Sequence, residues 1–453
     1  MAQITLAQAA EWCGGTIDPK YADICFLGAN NDSRNIQPGQ LFVALNGARD
    51  GHDFIPMAIE KGAAAVLCTR SVGDYPSIVV EDTRLALGQI AREERNRLGM
   101  KVVGVTGSVG KSTTKEMIVS VLETKYRVAK TPANHNNDIG MPMAILSIPE
   151  DTEVAVLEMG MNHFREIAYL SSIGQPDVAV IINIGTMHIE HLGSKEGILQ
   201  AKLEILEGLR PDGKLLLNGD DEMLWPVRNR LKVPALYFGA QNPEAAVIAE
   251  DINVADCGVS FVAQTEQGAI PVNLSLEGQH YVLDALAAVS AGLQFGVSPS
   301  DITAALSNFR NMAGRQEIFE TNGYTVIKDC YNAGPESMAA ALAVLGKKPG
   351  RRIAVLGDML ELGKRAAAEH YRIGRIAVEH ADIILAYGPH SDRVVDGAIT
   401  GGMDTVHARA FDDREKLVDA LKAIAKPQDV LLFKGSHGMH MELALDLFLQ
   451  TQA

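Results

Sequence analysis

Residues 104–114 read GVTGSVGKSTT, directly behind the apolar run Lys101-Val102-Val103 and ahead of a helical pattern from Ser112 to about Thr124. A strand that stops at glycines and restarts as a helix aims several backbone N–H groups at one point, where the helix dipole also favours negative charge. Gly107 and Gly110 let the backbone curl round phosphate oxygens, and Ser108 and Thr113 fall in the same turn. Lys111 supplies a cation, and Ser112 offers a hydroxyl to Mg²⁺. The position five before Gly110 is Val105 and not glycine, so the loop is the shorter form T-G-S-x-G-K-[ST]. An ordinary glycine turn is the alternative; strand, Gly-Lys-Ser and helix in that order favour a nucleotide, with ATP the expected ligand.

A chain of 453 residues is roughly three times a typical domain, so two or three domains are expected. Charged residues at 21% and apolar residues at 47% describe a globular chain and exclude a disordered one. The net charge of −15 argues against nucleic acid as a partner while leaving room for local basic sites. The five cysteines (Cys13, Cys25, Cys68, Cys257, Cys330) have no C-x-x-C spacing, which speaks against a disulfide framework or zinc site and for a reducing compartment. The opening MAQITLAQAAEW lacks a basic start and a long apolar core, and no run approaches the ~18 apolar residues of a membrane span. A cytoplasmic protein, working as a monomer, is expected.

Three units follow from the pattern, all of the α/β class. In residues 1–98, LFVAL (41–45), AAAVLC (63–68) and SIVV (77–80) read as short buried strands, with a helix over Phe54–Lys61. The charge-rich segment Thr83–Leu98 (…AREERNRL) reads as a solvated helix face and marks the first boundary. Residues 99–312 alternate strand and helix: KVVGV, VAVLEM (154–159), DVAVIINIG (177–185) and KLLLN (214–218), with helices over 163–172 and about 194–209. That is the pattern of a parallel sheet covered on both faces, and the antiparallel-like alternation over 245–275 adds a small β edge. Residues 313–453 reset it, with YTVIKD (324–329), RRIAVLGD (351–358), ADIILAYG (381–388) and DVLLFKG (429–435) predicting a smaller doubly wound, Rossmann-like unit.

Glu158 ends one strand of the second unit and His188 follows another, at the sheet edge where the phosphate loop lies. A carboxylate and an imidazole beside ATP suit Mg²⁺; a solvated strand-end Glu and a surface His are the alternatives. Lys202, in GILQAKLEIL, reads on its own as a snorkelling surface lysine. The polar cluster Asn134, Asn136, Asn137 and Asp138 follows the first βα unit, where substrate loops concentrate, though it could be a plain turn. Arg315 and Asp329 open the last unit; an Arg at such a joint forms a salt bridge or reaches over to a nucleotide. Lys434, in FKGSHGM, follows a strand and opens a helix, a potential anion site.

Together these segments resemble the Mur ligase family, ATP-dependent enzymes that build the peptide stem of peptidoglycan. The residues that carry the resemblance are DSRNIQPGQLFVALNG and DGHDF, then TGSVGKST, NHNNDIGMP, LEMGMNHFREI and MHIEHLGSKEGILQAKLEI, then AGRQEIF, DCYNAGPESM, LGDMLELG and FKGSHGM. They span nearly the whole chain. Within the family the likeness is greatest to the branch that adds D-alanyl-D-alanine to a UDP-N-acetylmuramoyl-tripeptide through an acyl phosphate. The resemblance implies that Lys111 holds the β- and γ-phosphates and that Ser112, Glu158 and His188 serve Mg²⁺. It implies that Lys202 is carbamylated and that Arg315 and Asp329 close onto ATP, Asp329 at the ribose. Ser33 and Arg34, with Asn136 and Asn137, would lie along the UDP-sugar, and Lys434 would meet the dipeptide's carboxylate. The three units then become UDP-sugar, ATP and dipeptide domains.

The sequence departs from the family pattern near the adenine, where GQHYVLDA carries Tyr281 and Asp284 at positions usually held by asparagine. It departs again in KGSH, where His437 replaces an arginine. The rivals are a sister ligase adding a single amino acid (a third-residue ligase or a folylpolyglutamate synthetase) and a P-loop kinase or regulatory NTPase. The absence of a DNP-[RA]-like segment near the end speaks against the diaminopimelate-adding ligase.

Overall fold

Strand Lys101–Thr106 is buried along all but its first residue and lies inside a nine-stranded sheet. In spatial order the strands are Gly268–Leu274, Gly258–Thr265, Val247–Ala255, Ala235–Gly239, Lys214–Asn218, Val178–Ile181, Lys101–Thr106, Val154–Glu158 and Val128–Lys130. The computed structural model describes residues 3–255 and 258–450; Cys257 and the first two residues of the amino-terminal stretch lie outside them. The seven strands from Val247–Ala255 to Val128–Lys130 pair in parallel, and the last three in sequence form the expected antiparallel edge. After Lys101–Thr106 the chain first builds one side of the sheet and then crosses to the other. The loop Gly107–Gly110 therefore opens at the switch point, where parallel sheets open a crevice at their carboxyl ends.

Helix Lys111–Leu122 starts after Gly110, whose backbone is left-handed (φ +87); a Cβ there would also lie 2.7 Å from Asp284 Oδ1. Glycine is required on both counts. The helix packs on Tyr281–Gln294, and its Met117, Ile118 and Val121 join one face of the sheet core.

The first unit holds a parallel sheet of Ala29–Asn30, Leu41–Val43, Ala65–Cys68 and Ser77–Val79, with a separate antiparallel pair, Ile4–Thr5 and Cys25–Phe26. The helix Thr83–Leu98 has the expected limits and the expected solvated face, with Arg84, Leu85, Gln89, Arg92 and Asn96 exposed, while its other face is buried. Ala86, Leu87, Ile90 and Ala91 sit in a core that runs without a break from this unit into the central sheet. Two of its charges, Glu94 and Arg95, are enclosed as well. Glu94 is held by Arg97 Nε and Nη2 at 2.7 and 2.8 Å. Arg95 donates to the carbonyls of Gly174 and Gln175, both at 3.0 Å, and so satisfies the end of helix Glu166–Gly174. A charge-rich pattern reads as solvent-facing unless carbonyl partners on another element are known, and here they lie 79 or more positions away.

The third unit is a six-stranded sheet in the order Glu317–Thr321, Tyr324–Asp329, Val430–Lys434, Arg352–Gly357, Ile383–Tyr387, Ala408–Phe411, parallel except for the first hairpin. Its turns after Gly357 and Lys434 are stitched together by Ser436 N to Asp358 O at 3.0 Å and Leu360 N to Ser436 Oγ at 2.9 Å. The turn after Lys434 lines the cleft with His437, and the turn after Gly357 meets His188 through Glu361. Among the described residues, Cys13, Cys25, Cys68 and Cys330 are free thiols, and no helix is long and apolar enough to cross a membrane.

Candidate active site

A cleft of about 610 Å³ separates the carboxyl edge of the central sheet from the third unit, lined by the phosphate loop, Asn134, Asn136, Asn137, Asp138, Glu158, His188, Arg315, Asp329, Lys434 and His437 among others. The loop is braced from below by Asn183, whose Oδ1 accepts from the N–H of Ser108 (3.0 Å) and Val109 (2.9 Å). Its Nδ2 donates to Val109 O at 2.9 Å. Lys111 folds back over the loop and donates to the carbonyls of Gly107 (2.8 Å) and Ser108 (3.2 Å). Burial lowers the pKa of its ammonium, with Glu158 pulling the other way.

Glu158 is 3% exposed. Ser112 Oγ donates to its Oε2 at 2.7 Å and Asn136 Nδ2 to its Oε1 at 2.8 Å, while Thr131 Oγ1 accepts from its backbone N–H. Lys115 Nζ, also fully buried, lies 3.9 Å from the same carboxylate and donates to Thr131 O. Burial pushes the Glu158 carboxyl up, but Lys111, the Ser112 and Asn136 bonds and Lys115 outweigh it and hold it below the usual range. Glu158 is thus kept as an anion in a nearly water-free place.

Lys202 is no snorkelling lysine. It is 2% exposed, and no hydrogen bond or ion pair engages its amine among the described residues. Burial first, then the nearby charge of Lys111, drive its pKa well below the ordinary lysine value. His188 stands on left-handed backbone (φ +62) at the head of the short helix Ile189–Leu192. Its Nδ1 is buried and lies 2.5 Å from Glu361 Oε2, a contact without hydrogen-bond alignment.

Further groups reach over from the third unit. Arg315 Nη2 donates to Ser112 Oγ at 2.8 Å while its guanidinium lies 3.8 Å from the Tyr331 ring centroid. Tyr331 in turn hydrogen-bonds Asn134. Glu336 accepts from the N–H and hydroxyl of Thr186, both at 3.0 Å. Lys434 is not a free anion site here: 1% exposed, it is paired with Asp329 Oδ2 at 2.6 Å and also donates to Asn332 O. His437 is exposed on the cleft wall, its ring 6.2 Å from that of Tyr331.

On the side where the sequence departs, Tyr281 is buried with its hydroxyl engaged by Asn311 Nδ2 at 2.8 Å. Asp284 accepts from Thr114 Oγ1 at 2.7 Å and lies under Gly110, so it props the phosphate loop's helix. Burial pushes its carboxyl up to about 7, against the opposing pull of Thr114 and Arg315.

The sequence matches the Mur ligase, glutamate ligase domain over residues 314–437, the Mur ligase middle domain over 105–292 and the Mur ligase family catalytic domain over 26–95. It is 39% identical over 452 residues to the UDP-N-acetylmuramoyl-tripeptide–D-alanyl-D-alanine ligase of Bacillus subtilis, covering 98% of this chain and 97% of that one. The chain belongs to the Mur ligase family. The Escherichia coli ligase of the same name is 36% identical over 98% of this chain and 97% of its own. Among solved structures, MurF from Acinetobacter baumannii superposes with a TM-score of 0.92 at 32% identity, over 99% of both chains. MurF from Thermotoga maritima, solved in complex with ADP, gives 0.83 at 30%, over 94% of this chain and 97% of that one.

Mur ligases work on ATP, and the residues at the loop fit a magnesium nucleotide. Among the described residues no three His, Cys, Asp or Glu side chains cluster for a metal, but Mg²⁺ needs only one or two carboxylates beside phosphate oxygens and water. The hydroxyl of Ser112, the anionic Glu158 and the imidazole of His188 would suit that set. Of the residues expected from sequence, Ser33 and Arg34 are not brought to the cleft. Ser33 is buried with its hydroxyl 3.4 Å from Met57 Sδ, and Arg34 is paired with Asp32 at 2.8 Å. Asn183, Lys115, Thr131 and Glu336 were not expected. Asn183 alone carried a signal, an amide ending the apolar run VAVII (178–182).

Proposed function

We propose that this chain joins D-alanyl-D-alanine to a UDP-N-acetylmuramoyl-tripeptide at the expense of ATP, within the cytoplasm, to give a peptidoglycan precursor. The observation that carries the reading is the juxtaposition of the phosphate loop, the buried Ser112–Glu158 pair and Arg315 reaching over from the third unit. We assign residues 1–98 to the UDP-sugar, 99–312 to ATP and 313–453 to the dipeptide.

Lys111 exchanges its loop carbonyls for the β- and γ-phosphates, and Arg315 exchanges the Ser112 hydroxyl for the same anion. The tripeptide's terminal carboxylate attacks the γ-phosphorus; the bond to the bridging oxygen breaks, ADP departs and an acyl phosphate remains. The dipeptide's amine then attacks the acyl carbon, loses a proton, and inorganic phosphate leaves. Charge on the transferring phosphoryl group is where fixed cations gain most, each donor contributing roughly 10²–10³ in rate. Ser112, Glu158 and His188 would hold Mg²⁺, which would supply Lewis-acid stabilisation of that charge. The amine of Lys202, whose protonation burial disfavours, adds to CO₂, forming an N–C bond and releasing one proton, which leaves an anionic carbamate on a side chain that is ordinarily a cation. Asp329, paired with Lys434, is placed for the ribose, and the third unit shields the acyl phosphate from water.

Phosphate release from ATP tests the reaction class. It is expected only when the UDP-tripeptide and the dipeptide are both present; release with the acyl donor alone at the same rate would indicate a kinase or hydrolase.

A further inference from the structure

The segment Gly185–His188 is gripped from the opposite side of the cleft by two carboxylates. Glu336 accepts from both the N–H and the hydroxyl of Thr186, and Glu361 brings Oε2 to 2.5 Å from His188 Nδ1. Glu361 belongs to the turn after strand Arg352–Gly357 and, like His188, holds a left-handed backbone (φ +61). The two turns are in van der Waals contact: a Cβ on Gly363 would lie 3.0 Å from Cβ and Cγ of Glu190. No group among the described residues, Glu361 included, makes an aligned hydrogen bond to the buried Nδ1, and Glu361 Oε2 is the carboxylate that a small turn of the ring would bring into line with it.

We infer that Glu361 is a positioning residue for His188, its carboxylate accepting the Nδ1 proton and so fixing the ring in the tautomer whose Nε2 lone pair is free to act as a ligand. The inference rests on the role given to His188 above. A histidine that binds metal through one nitrogen commonly gives the other N–H to a carboxylate, which fixes tautomer and ring plane. Here that carboxylate comes from a different sheet than the histidine does. The site for the nucleotide's cation is then complete only when the third unit sits against the central one, and domain closure and site assembly become one event. A contact with 45% of the Glu361 side chain exposed contributes little to stability, so its loss should act through His188 and not through folding.

The test compares Glu361→Ala and Glu361→Gln with the parent. Nitrogen-15 NMR of the resting, metal-free protein, with the His188 signal identified by its loss in His188→Ala, should show one Nδ1–H tautomer. That single state should be lost in Glu361→Ala and kept in Glu361→Gln, whose amide oxygen still accepts. In turnover, Glu361→Ala should raise the Mg²⁺ concentration for half-maximal rate about 10-fold or more with the KM for D-alanyl-D-alanine unchanged, and Glu361→Gln should recover most of the loss. An unchanged tautomer in Glu361→Ala would overturn the inference, as would a raised dipeptide KM with unaltered Mg²⁺ dependence. Full activity in His188→Ala would overturn the reading of His188 itself; loss there with a silent Glu361→Ala overturns only the part given to Glu361.

Discussion

Replacing Lys202 by methionine separates chemistry from folding. The side chain is 2% exposed, and its pKa is driven well down by burial and by Lys111. Methionine keeps the unbranched stem and removes an amine that has no hydrogen-bond partner among the described residues. An unsatisfied buried polar group costs about 1–3 kcal/mol, so in bicarbonate-free buffer Lys202→Met should melt at the parent's temperature or roughly 2 °C or more above it. The proton balance gives a second signature. Between the lowered native pKa and the ordinary value of 10.5, the unfolded chain binds the extra proton, so this lysine makes stability rise with pH; the difference from Lys202→Met should shrink steadily as pH rises through that window. Catalysis should respond in the opposite sense. Losing one fixed group at the transferring phosphate costs about 10²–10³ in rate, and acetate should restore part of the activity to Lys202→Ala. Phosphate release and scanning fluorimetry read both. Full activity in Lys202→Met with no response to added carboxylates would refute the reasoning, as would a melting temperature several degrees below the parent.

Lys111→Ala should fold normally, because among the described residues its amine hydrogen-bonds loop carbonyls and no core group, yet lose about 10³-fold in phosphate release; near-parent turnover in a folded variant would contradict that. Asp284→Asn should flatten a pH dependence. A carboxyl raised from 3.8 to about 7 binds more protons folded than unfolded, so stability present at low pH falls as pH climbs between about 4 and 7, by up to ~4 kcal/mol for three units. The variant should therefore match the parent near pH 4 and exceed it at pH 8, with circular-dichroism melts as the readout.

The order of strands and helices was legible because apolar runs such as VAVLE and KLLLN are continuous where a sheet is covered on both faces. The short strands Val128–Lys130 and Ala408–Phe411 were not, since edge position leaves them half polar. The hairpin strand Glu317–Thr321 was hidden for the same reason. Lys111, Ser112 and Glu158 could be found because glycine spacing and strand ends fix their places locally. Lys202 could be placed only by resemblance: its helix pattern reads as surface, and what encloses it lies on other elements. The same limit hid Arg95, and it hid Lys115, whose partner Thr131 lies 16 residues on. Asp284 stood out only as a departure from the family's asparagine near the adenine; its bond to Thr114, 170 residues away, makes it a support for the loop.

The central claim is that the third unit delivers a dipeptide amine to an acyl phosphate formed over Lys111. Competition tests it most directly: UDP-N-acetylmuramoyl-tripeptide and ATP are offered D-alanyl-D-alanine together with D-alanine and diaminopimelate, and the products are resolved by mass. The account expects the pentapeptide as the dominant product, formed with one phosphate released per amide. A tetrapeptide as the major product, or phosphate released without any new amide, would contradict it.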